Sequence, residues 1–225
     1  MIICAGKIET FNFATPVGIG LTDVSINLTK LCMEKKPEFL LFIGSAGSYG
    51  EKKIFEIIES RSACNIENSF LDRDSYTPID NLITAADPSQ LYLPDNHHVS
   101  RETRQADDNS FSQRVASTRS SVVLKPERWS EATREGGETL VNCSNYVTSS
   151  SRYAKQYLGR NIHLENMEFY AVLKVAEKFG IPAGGVFIVT NFCDENAHED
   201  FKKNHKEAMQ RLAAYMNAKN KELRI

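Results

Sequence analysis

Short, continuous apolar runs punctuate the chain, and they predict strands that are buried inside a sheet. Residues 39–43 form such a run before a cluster of small residues, and residues 184–190 form a second one. Residues 9–14 instead alternate apolar and polar positions, with Phe11 and Phe13 on one face, as in a half-buried strand. Shorter runs predict further strands at residues 53–58 and 140–142.

Between these runs, apolar side chains recur at helical spacing. A helix is predicted between Gly20 and Pro37, with Thr22 or Asp23 as its cap. A second helix is predicted over residues 168–179, because Gly180 and Pro182 prevent its continuation, and a third over residues 198–216. Strands that alternate with helices in this way predict an α/β fold with parallel strands and crossover helices.

The middle of the chain, residues 86–138, departs from this pattern. It loses apolar periodicity and is rich in Asp, Ser, Gln, Asn and Thr. It also carries six arginines and one lysine, whereas the remainder of the chain has six arginines and fourteen lysines. We interpret it as an atypical polar insertion within a single domain of residues 1–225, either a surface excursion or a lid or oligomer arm.

Composition narrows the function classes. The 225 residues are 41% hydrophobic with a net charge of −2, which favours one globular domain with a small neutral or weakly charged ligand and gives no reason to expect a nucleic-acid or membrane partner. No apolar run is long enough to span a bilayer, and no secretory signal is evident, so a cytoplasmic location is expected. Five scattered cysteines suggest reduced, buried thiols, and the spacing of His and Cys predicts no metal site.

Candidate chemistry lies in three segments that follow predicted strands, where α/β sheets bind ligands. The first is the small-residue stretch 44–48, whose amides and hydroxyls suit an anion or a sugar oxygen. The second, residues 191–196, contains Asp194, which is either an acid–base group or a helix cap. The third, residues 163–168, ends in Glu168 at a helix start, where the helix dipole also favours a carboxylate.

Together, three short sequences resemble the purine nucleoside phosphorylase and nucleosidase superfamily, which includes the methylthioadenosine nucleosidases. They are Phe-Ile-Gly-Ser-Ala-Gly at 42–47, Asn-Met-Glu at 166–168 and the strand end at 189–194. The family's Ser-Asp pair appears here as Cys193-Asp194. The resemblance covers residues 9–70 and 139–216, and it implies a three-layer sandwich whose mixed, mostly parallel sheet is flanked by helices.

The resemblance also implies a set of site residues for cleaving a purine N-glycosidic bond. Asp194 matches the general acid that protonates the departing purine, and Glu168 matches the carboxylate that binds the ribose hydroxyls. The other residues expected to bind substrate are Met167 under the sugar, Ser45, Ala46 and Gly47 toward the nucleophile, and Tyr146 or Phe192 stacked on the base.

The nucleophile is the open point of this prediction. Phosphorolysis is the first hypothesis, with phosphate as a co-substrate and no other cofactor, and hydrolysis of the same bond is the alternative. Lys7, Arg61 or an arginine of residues 86–138 from a partner subunit would supply charge for phosphate, whereas Glu9 would activate water. A non-catalytic nucleoside-binding or assembly protein is a further alternative. The resemblance also implies a homo-oligomer.

Overall fold

The computed structural model describes residues 1–85 and 139–222, so the predicted insertion at residues 86–138 lies outside the described residues. The strands are β1 (Ile2–Cys4), β2 (Thr15–Pro16), β3 (Leu40–Ser48), β4 (Ile57–Ser60), β5 (Ser62–Cys64), β6 (Leu82–Thr84), β7 (Leu140–Cys143), β8 (Ile162–Asn166) and β9 (Ala183–Phe192). The helices are α1 (Gly20–Lys35), α2 (Asn68–Leu71), α3 (Ser151–Leu158), α4 (Phe169–Phe179) and α5 (Ala197–Glu222).

The described strands form one mixed sheet around β3. In the order β2-β1-β3-β8-β7-β5-β6, β3 pairs in parallel with β1 through its first half and antiparallel with β8 at its end. Its other edge pairs in parallel with β9, which in turn pairs antiparallel with β4. Five of the pairings between described strands are parallel and three are antiparallel, which confirms the mixed, mostly parallel sheet.

Helices cover both faces of this sheet. Successive residues of a strand point to opposite faces, and Phe42 and Ile43 of β3 accordingly belong to different cores. Phe42 packs with the buried faces of α1 and α4, whereas Ile43 packs with Ala208 and Leu212 of α5. The molecule is therefore a three-layer α/β sandwich, as the resemblance implied.

The ends of two helices show how well local signals predict boundaries. Gly180 adopts a left-handed conformation with φ +65° and ends α4 where predicted. Helix α1, however, starts at Gly20, and no side chain of its N-cap residue accepts a hydrogen bond. The predicted caps Thr22 and Asp23 lie inside the helix, so other parts of the chain must satisfy its first amides.

The predicted strand at residues 9–14 is wrong. Gly6 and Glu9 instead exchange two backbone hydrogen bonds across a tight turn in which Lys7 has φ +55°. The alternation of Phe11 and Phe13 has another cause, because their rings pack together with centroids 5.5 Å apart against the core under α5. The turn carries the Glu9 side chain back toward β3.

Candidate active site

A cavity of about 240 Å³ lies where β3, β8 and β9 end. It is formed by residues from five regions that are distant in sequence but meet at this edge of the sheet, as expected for ligand sites in α/β folds. Its lining residues are Ala5, Gly6, Ile8, Glu9, Ile19, Ser45, Ala46, Gly47, Val147, Glu165, Asn166, Met167, Glu168, Thr190, Asn191, Ala197, His198 and Phe201.

Glu9 reaches the cavity from the turn after β1. One of its carboxylate oxygens accepts a hydrogen bond from the Ser45 backbone N–H at 3.2 Å, and the other accepts one from the Ser45 hydroxyl. The side chain is 9% exposed, so this carboxylate is largely removed from bulk water. Gly44 lies directly beneath it, and a Cβ there would lie 2.9 Å from a Glu9 carboxylate oxygen, so a larger residue would shift the carboxylate.

Glu168 is fixed between two helix starts. The Asn166 side-chain oxygen accepts hydrogen bonds from the N–H groups of Glu168 and Phe169, at 2.8 and 2.9 Å, and so caps α4. The Glu168 carboxylate accepts a hydrogen bond from the Gly20 N–H at 3.0 Å, at the start of α1. It therefore supplies part of the cap that α1 lacks locally.

The pKa of Glu168 is raised to about 7. Its burial, with 4% of the residue exposed, is the main cause, and the nearby Glu9 carboxylate adds to it, while the hydrogen bond from Gly20 acts in the opposite direction. A carboxyl group with this pKa exists in both protonation states near neutral pH. Perturbed carboxyl groups that line a cavity are typical of functional sites.

A bulge between β3 and β9 shapes the wall next to these carboxylates. Ala46 pairs with Val189 and Gly47 pairs with Asn191, so Thr190 is the extra residue. Thr190 and Asn191 both line the cavity. Sequence reasoning did not single out either residue, although Asn191 lies in the candidate segment 191–196 and Thr190 directly precedes it.

Five of the predicted site residues lie together at the cavity. Ser45, Ala46 and Gly47 of β3 line it with Met167 and Glu168, which follow β8. The structure therefore brings these five residues together, while their roles as site residues stay predictions.

Asp194 lies beside the cavity and is not among its lining residues. Its carboxylate accepts a hydrogen bond from the Asn196 N–H at 2.8 Å, and its carbonyl oxygen accepts one from the Ala197 N–H at 3.1 Å. This is the helix-start role that the sequence left open as an alternative. Ala197 and His198 line the cavity, so Asp194 is only three residues from the nearest lining residue that follows it.

The two aromatic residues predicted to stack on the base are not in the lining. Tyr146 is 73% exposed, and its neighbour Val147 faces the cavity instead. Phe192 is the last residue of β9 and is not among the lining residues, although its neighbour Asn191 is. Phe201 of α5 is the aromatic side chain that does line the cavity, and the sequence pattern had indicated only that it belongs to a helix.

The described lining of the cavity is acidic. It contains the carboxyl groups of Glu9, Glu165 and Glu168, no lysine or arginine, and His198 as its one ionisable nitrogen base. Lys7 is exposed and not among these residues. Arg61 packs near Gly184 at the start of β9, whereas the cavity lies at the end of that strand.

The described residues include no group of three or more His, Cys, Asp or Glu side chains that could hold a metal ion. None of the helices in residues 1–85 and 139–222 is both long enough and apolar enough to cross a membrane. All five cysteines are buried thiols without disulfides, as the sequence predicted.

Fold and site together define an α/β protein with an acidic cavity at its strand ends. The family model of the phosphorylase superfamily matches residues 2–218, and the chain belongs to that superfamily. This confirms the resemblance seen in the sequence motifs. No curated protein matches the chain in sequence.

Solved structures with the same fold include nucleosidases and a futalosine hydrolase. A 5′-methylthioadenosine/S-adenosylhomocysteine nucleosidase from Helicobacter pylori superposes with a TM-score of 0.65 at 13% identity, covering 98% of this chain and 97% of that one. The futalosine hydrolase of the same organism gives 0.64 at 14%, covering 98% and 96%. An S-adenosylhomocysteine nucleosidase from Streptococcus pyogenes gives 0.62 at 13%, covering 96% and 92%.

Proposed function

We propose that this protein is a nucleosidase that hydrolyses the N-glycosidic bond of a purine nucleoside in the cavity at the ends of β3, β8 and β9. Membership of the phosphorylase superfamily and the likeness to solved nucleosidases support glycosidic-bond cleavage. The sequence motifs placed phosphorolysis first and hydrolysis second. The acidic lining reverses that order.

The observation that carries hydrolysis is the charge of the cavity. Phosphate is an anion at neutral pH, and Glu9, Glu165 and Glu168 present carboxyl groups without a lysine or arginine among the described lining residues. Like charges in a poorly solvated cavity repel strongly, whereas neutral water and a neutral nucleoside incur no such cost. A water nucleophile therefore suits this cavity better than phosphate.

We assign Glu9 as the base that activates the attacking water. Its carboxylate is buried, is anchored by Ser45 and lies near Glu168, which is the position expected for a base that removes a proton from attacking water. As water adds to C1′ of the sugar, its proton passes to this carboxylate. The hydrogen bonds from Ser45 hold the carboxylate in place for that transfer.

Asp194 and Glu168 have the two remaining roles, which are protonation of the base and stabilisation of the ribosyl group. The C1′–N bond breaks with its electron pair moving to the purine, and Asp194 donates a proton to the base so that it leaves neutral. Positive charge develops on the ribosyl group, and ionised Glu168 stabilises it while accepting hydrogen bonds from the ribose hydroxyls. For this role Asp194 must exchange its contact with the Asn196 N–H for the purine.

The test is release of free base from 5′-methylthioadenosine, adenosine and inosine, with and without phosphate. We expect base release at the same rate in phosphate-free buffer, with the free sugar and no sugar phosphate as the second product. A requirement for phosphate would reinstate phosphorolysis. Ligand binding without release of base from any of the three would support the non-catalytic alternative.

A further inference from the structure

A third carboxyl group, Glu165, lies at the cavity and has no part in the proposed reaction. It stands on β8, is 6% exposed and lines the same cavity. Burying a carboxylate is costly unless hydrogen-bond donors or positive charges compensate it. Its surroundings therefore indicate what it does.

Neutral donors from three separate segments converge on this carboxylate. Oε1 accepts a hydrogen bond from the Thr148 N–H at 2.8 Å, and Oε2 accepts one from the Tyr49 hydroxyl at 2.9 Å. The Thr148 hydroxyl also donates to Oε2, and the Cys193 thiol is a further donor to the carboxylate. Four donors occupy about all the acceptor sites that a carboxylate offers, so Glu165 is committed to the protein and not to a ligand.

These donors belong to the segments that surround the cavity. Thr148 follows Val147, which lines the cavity in the loop at residues 144–150 between β7 and α3. Cys193 precedes Asp194, and its own N–H donates to the Ser48 carbonyl at 2.9 Å. Glu165 is thus hydrogen-bonded both to the loop at residues 144–150 and to the corner at Cys193–Asp194.

Tyr49, which donates to Glu165, is itself held rigidly by its neighbours. Its ring stacks on Tyr157 with centroids 4.4 Å apart and an angle of 18° between the planes. Its hydroxyl accepts a hydrogen bond from the Asn142 side-chain amide at 3.3 Å. With Tyr49 fixed in this way, the position of the carboxylate is fixed, and so is that of Thr148.

We propose that Glu165 is a positioning residue that fixes the loop at residues 144–150 and the Cys193–Asp194 corner around the bound base, and so sets the affinity for the nucleoside. This inference rests on the proposed nucleoside site. It assigns to Glu165 a part in binding, acting through Thr148 and Cys193, and not a part in the chemical step.

The chain offers a matched pair of variants for the test. Glu165→Gln keeps the shape but turns one acceptor oxygen into an N–H group, so one of the two sets of donors loses its acceptor. Glu67→Gln makes the same chemical change at an exposed carboxylate that accepts a hydrogen bond from Ser144, at the start of the same loop. Thr148→Val removes only the hydroxyl donor, whereas Thr148→Ser keeps it.

Two measurements follow the loop and the ligand separately. Hydrogen exchange of the Thr148 amide reports whether the loop is held, and calorimetry with adenine reports affinity without turnover. For Glu165→Gln we expect exchange to accelerate and the Kd for adenine to rise, each by about tenfold or more, since a hydrogen bond to a charged group is lost. In turnover, KM should rise more than kcat falls.

The controls give the expected contrast. Glu67→Gln should change both readings by less than about twofold, and Thr148→Ser should behave as the wild type. Because Glu165 acts through Thr148, the double variant Glu165→Gln/Thr148→Val should weaken binding little more than Glu165→Gln alone. If Glu165→Gln does not fold, the Thr148→Val and Thr148→Ser pair carries the test.

The positioning role would be overturned if Glu165→Gln left both amide exchange and adenine affinity unchanged. If Glu165→Gln does not fold, the same result in Thr148→Val would overturn it. Fully additive effects in the double variant would also overturn it. These outcomes are distinct from failure of the proposed function. If the wild type binds no adenine and releases no base, the nucleosidase proposal fails together with the binding part of this inference. The exchange measurement then still decides whether Glu165 holds the loop.

Discussion

At the scale of the residue, the site is defined by carboxyl groups that the fold removes from water. Glu168 is the clearest case, because burial and the neighbouring Glu9 carboxylate raise its pKa from the usual 4.5 to about 7. The N–H of Gly20 at the start of α1 offsets only part of that cost. Buried carboxyl groups with a raised pKa at a cavity are typical of functional sites, which supports a role for Glu168 in the proposed reaction.

This pKa has a consequence for stability. Because the native protein holds the Glu168 proton more tightly than the unfolded chain does, the stabilisation linked to this group is fully present below about pH 4.5 and is lost as pH rises through about 7. The shift corresponds to roughly 3 kcal/mol. We expect Glu168→Gln to gain free energy of unfolding relative to the wild type by about that amount between pH 4.5 and 8.

Urea unfolding of both proteins across this pH range measures the difference directly. A difference between wild type and Glu168→Gln that does not depend on pH would show that the carboxyl group ionises in the native protein as it does in the unfolded chain. Ionisation of Glu168 should also control catalysis. We expect kcat/KM to rise as pH increases through about 7, since the ionised form binds the ribose hydroxyls.

Asp194 gives a second prediction at this scale. Asp194→Asn keeps an oxygen that can accept the Asn196 N–H but cannot donate an acidic proton to the purine. We expect base release to fall by about 10²- to 10⁴-fold with little change in thermal stability. Glu195→Gln changes the adjacent exposed carboxylate and should retain activity within about twofold. Full activity of Asp194→Asn would contradict the acid assignment.

At the scale of the element, the small residues at the end of β3 serve a packing purpose. A Cβ at Gly47 would lie 2.7 Å from the Cys193 sulfur and 3.1 Å from the Asn191 side-chain nitrogen. Side chains of Asn191 at the end of β9 and of Cys193, which follows it, therefore occupy the space beside Gly47 at the bulge. This close approach explains why a buried strand contains glycine where larger apolar residues are usual.

The corresponding prediction concerns Gly47→Ala. We expect a loss of about 1–3 kcal/mol in free energy of unfolding, and a loss of activity, because the added methyl group displaces Cys193 and Asn191. Gly184→Ala is the matched control on the paired strand, since its Cβ would meet nothing closer than 3.7 Å. Equal stability of the two variants by urea unfolding would show that the approach at Gly47 is not tight.

The elements also show what the sequence could and could not predict. The long, periodic segments, β9 and α4 with its stop at Gly180, were predictable because their signals are local. The turn that carries Glu9 to Ser45 was not, because it depends on contacts between positions 36 residues apart. The same holds for the start of α1, whose amides are satisfied by Glu168 and Asn145 from far along the chain.

At the scale of the whole molecule, the near-neutral net charge conceals an uneven distribution. The described lining of the cavity is acidic, while six of the twelve arginines fall in residues 86–138, outside the described residues. Neither the total charge nor the amino-acid composition predicted the acidic cavity. It became visible only when the fold brought Glu9, Glu165 and Glu168 together.

Self-association remains a prediction at this scale. We expect a homo-oligomer, so light scattering after gel filtration should give a mass of at least about twice the 25.3 kDa of one chain. A mass of one chain at micromolar concentration would contradict this expectation. The measurement is independent of the assignments of Glu9 and Asp194.

We expect the acidic cavity to use water and not phosphate to cleave a purine nucleoside. The most direct measurement is the initial rate of adenine release from 5′-methylthioadenosine in phosphate-free buffer and at increasing phosphate, for the wild type and for Glu9→Gln. We predict a wild-type rate that does not depend on phosphate and a rate about 10²- to 10⁴-fold lower for Glu9→Gln. Adenine release that requires phosphate would contradict hydrolysis, and release that is unaffected by Glu9→Gln would contradict the assignment of Glu9 as the base.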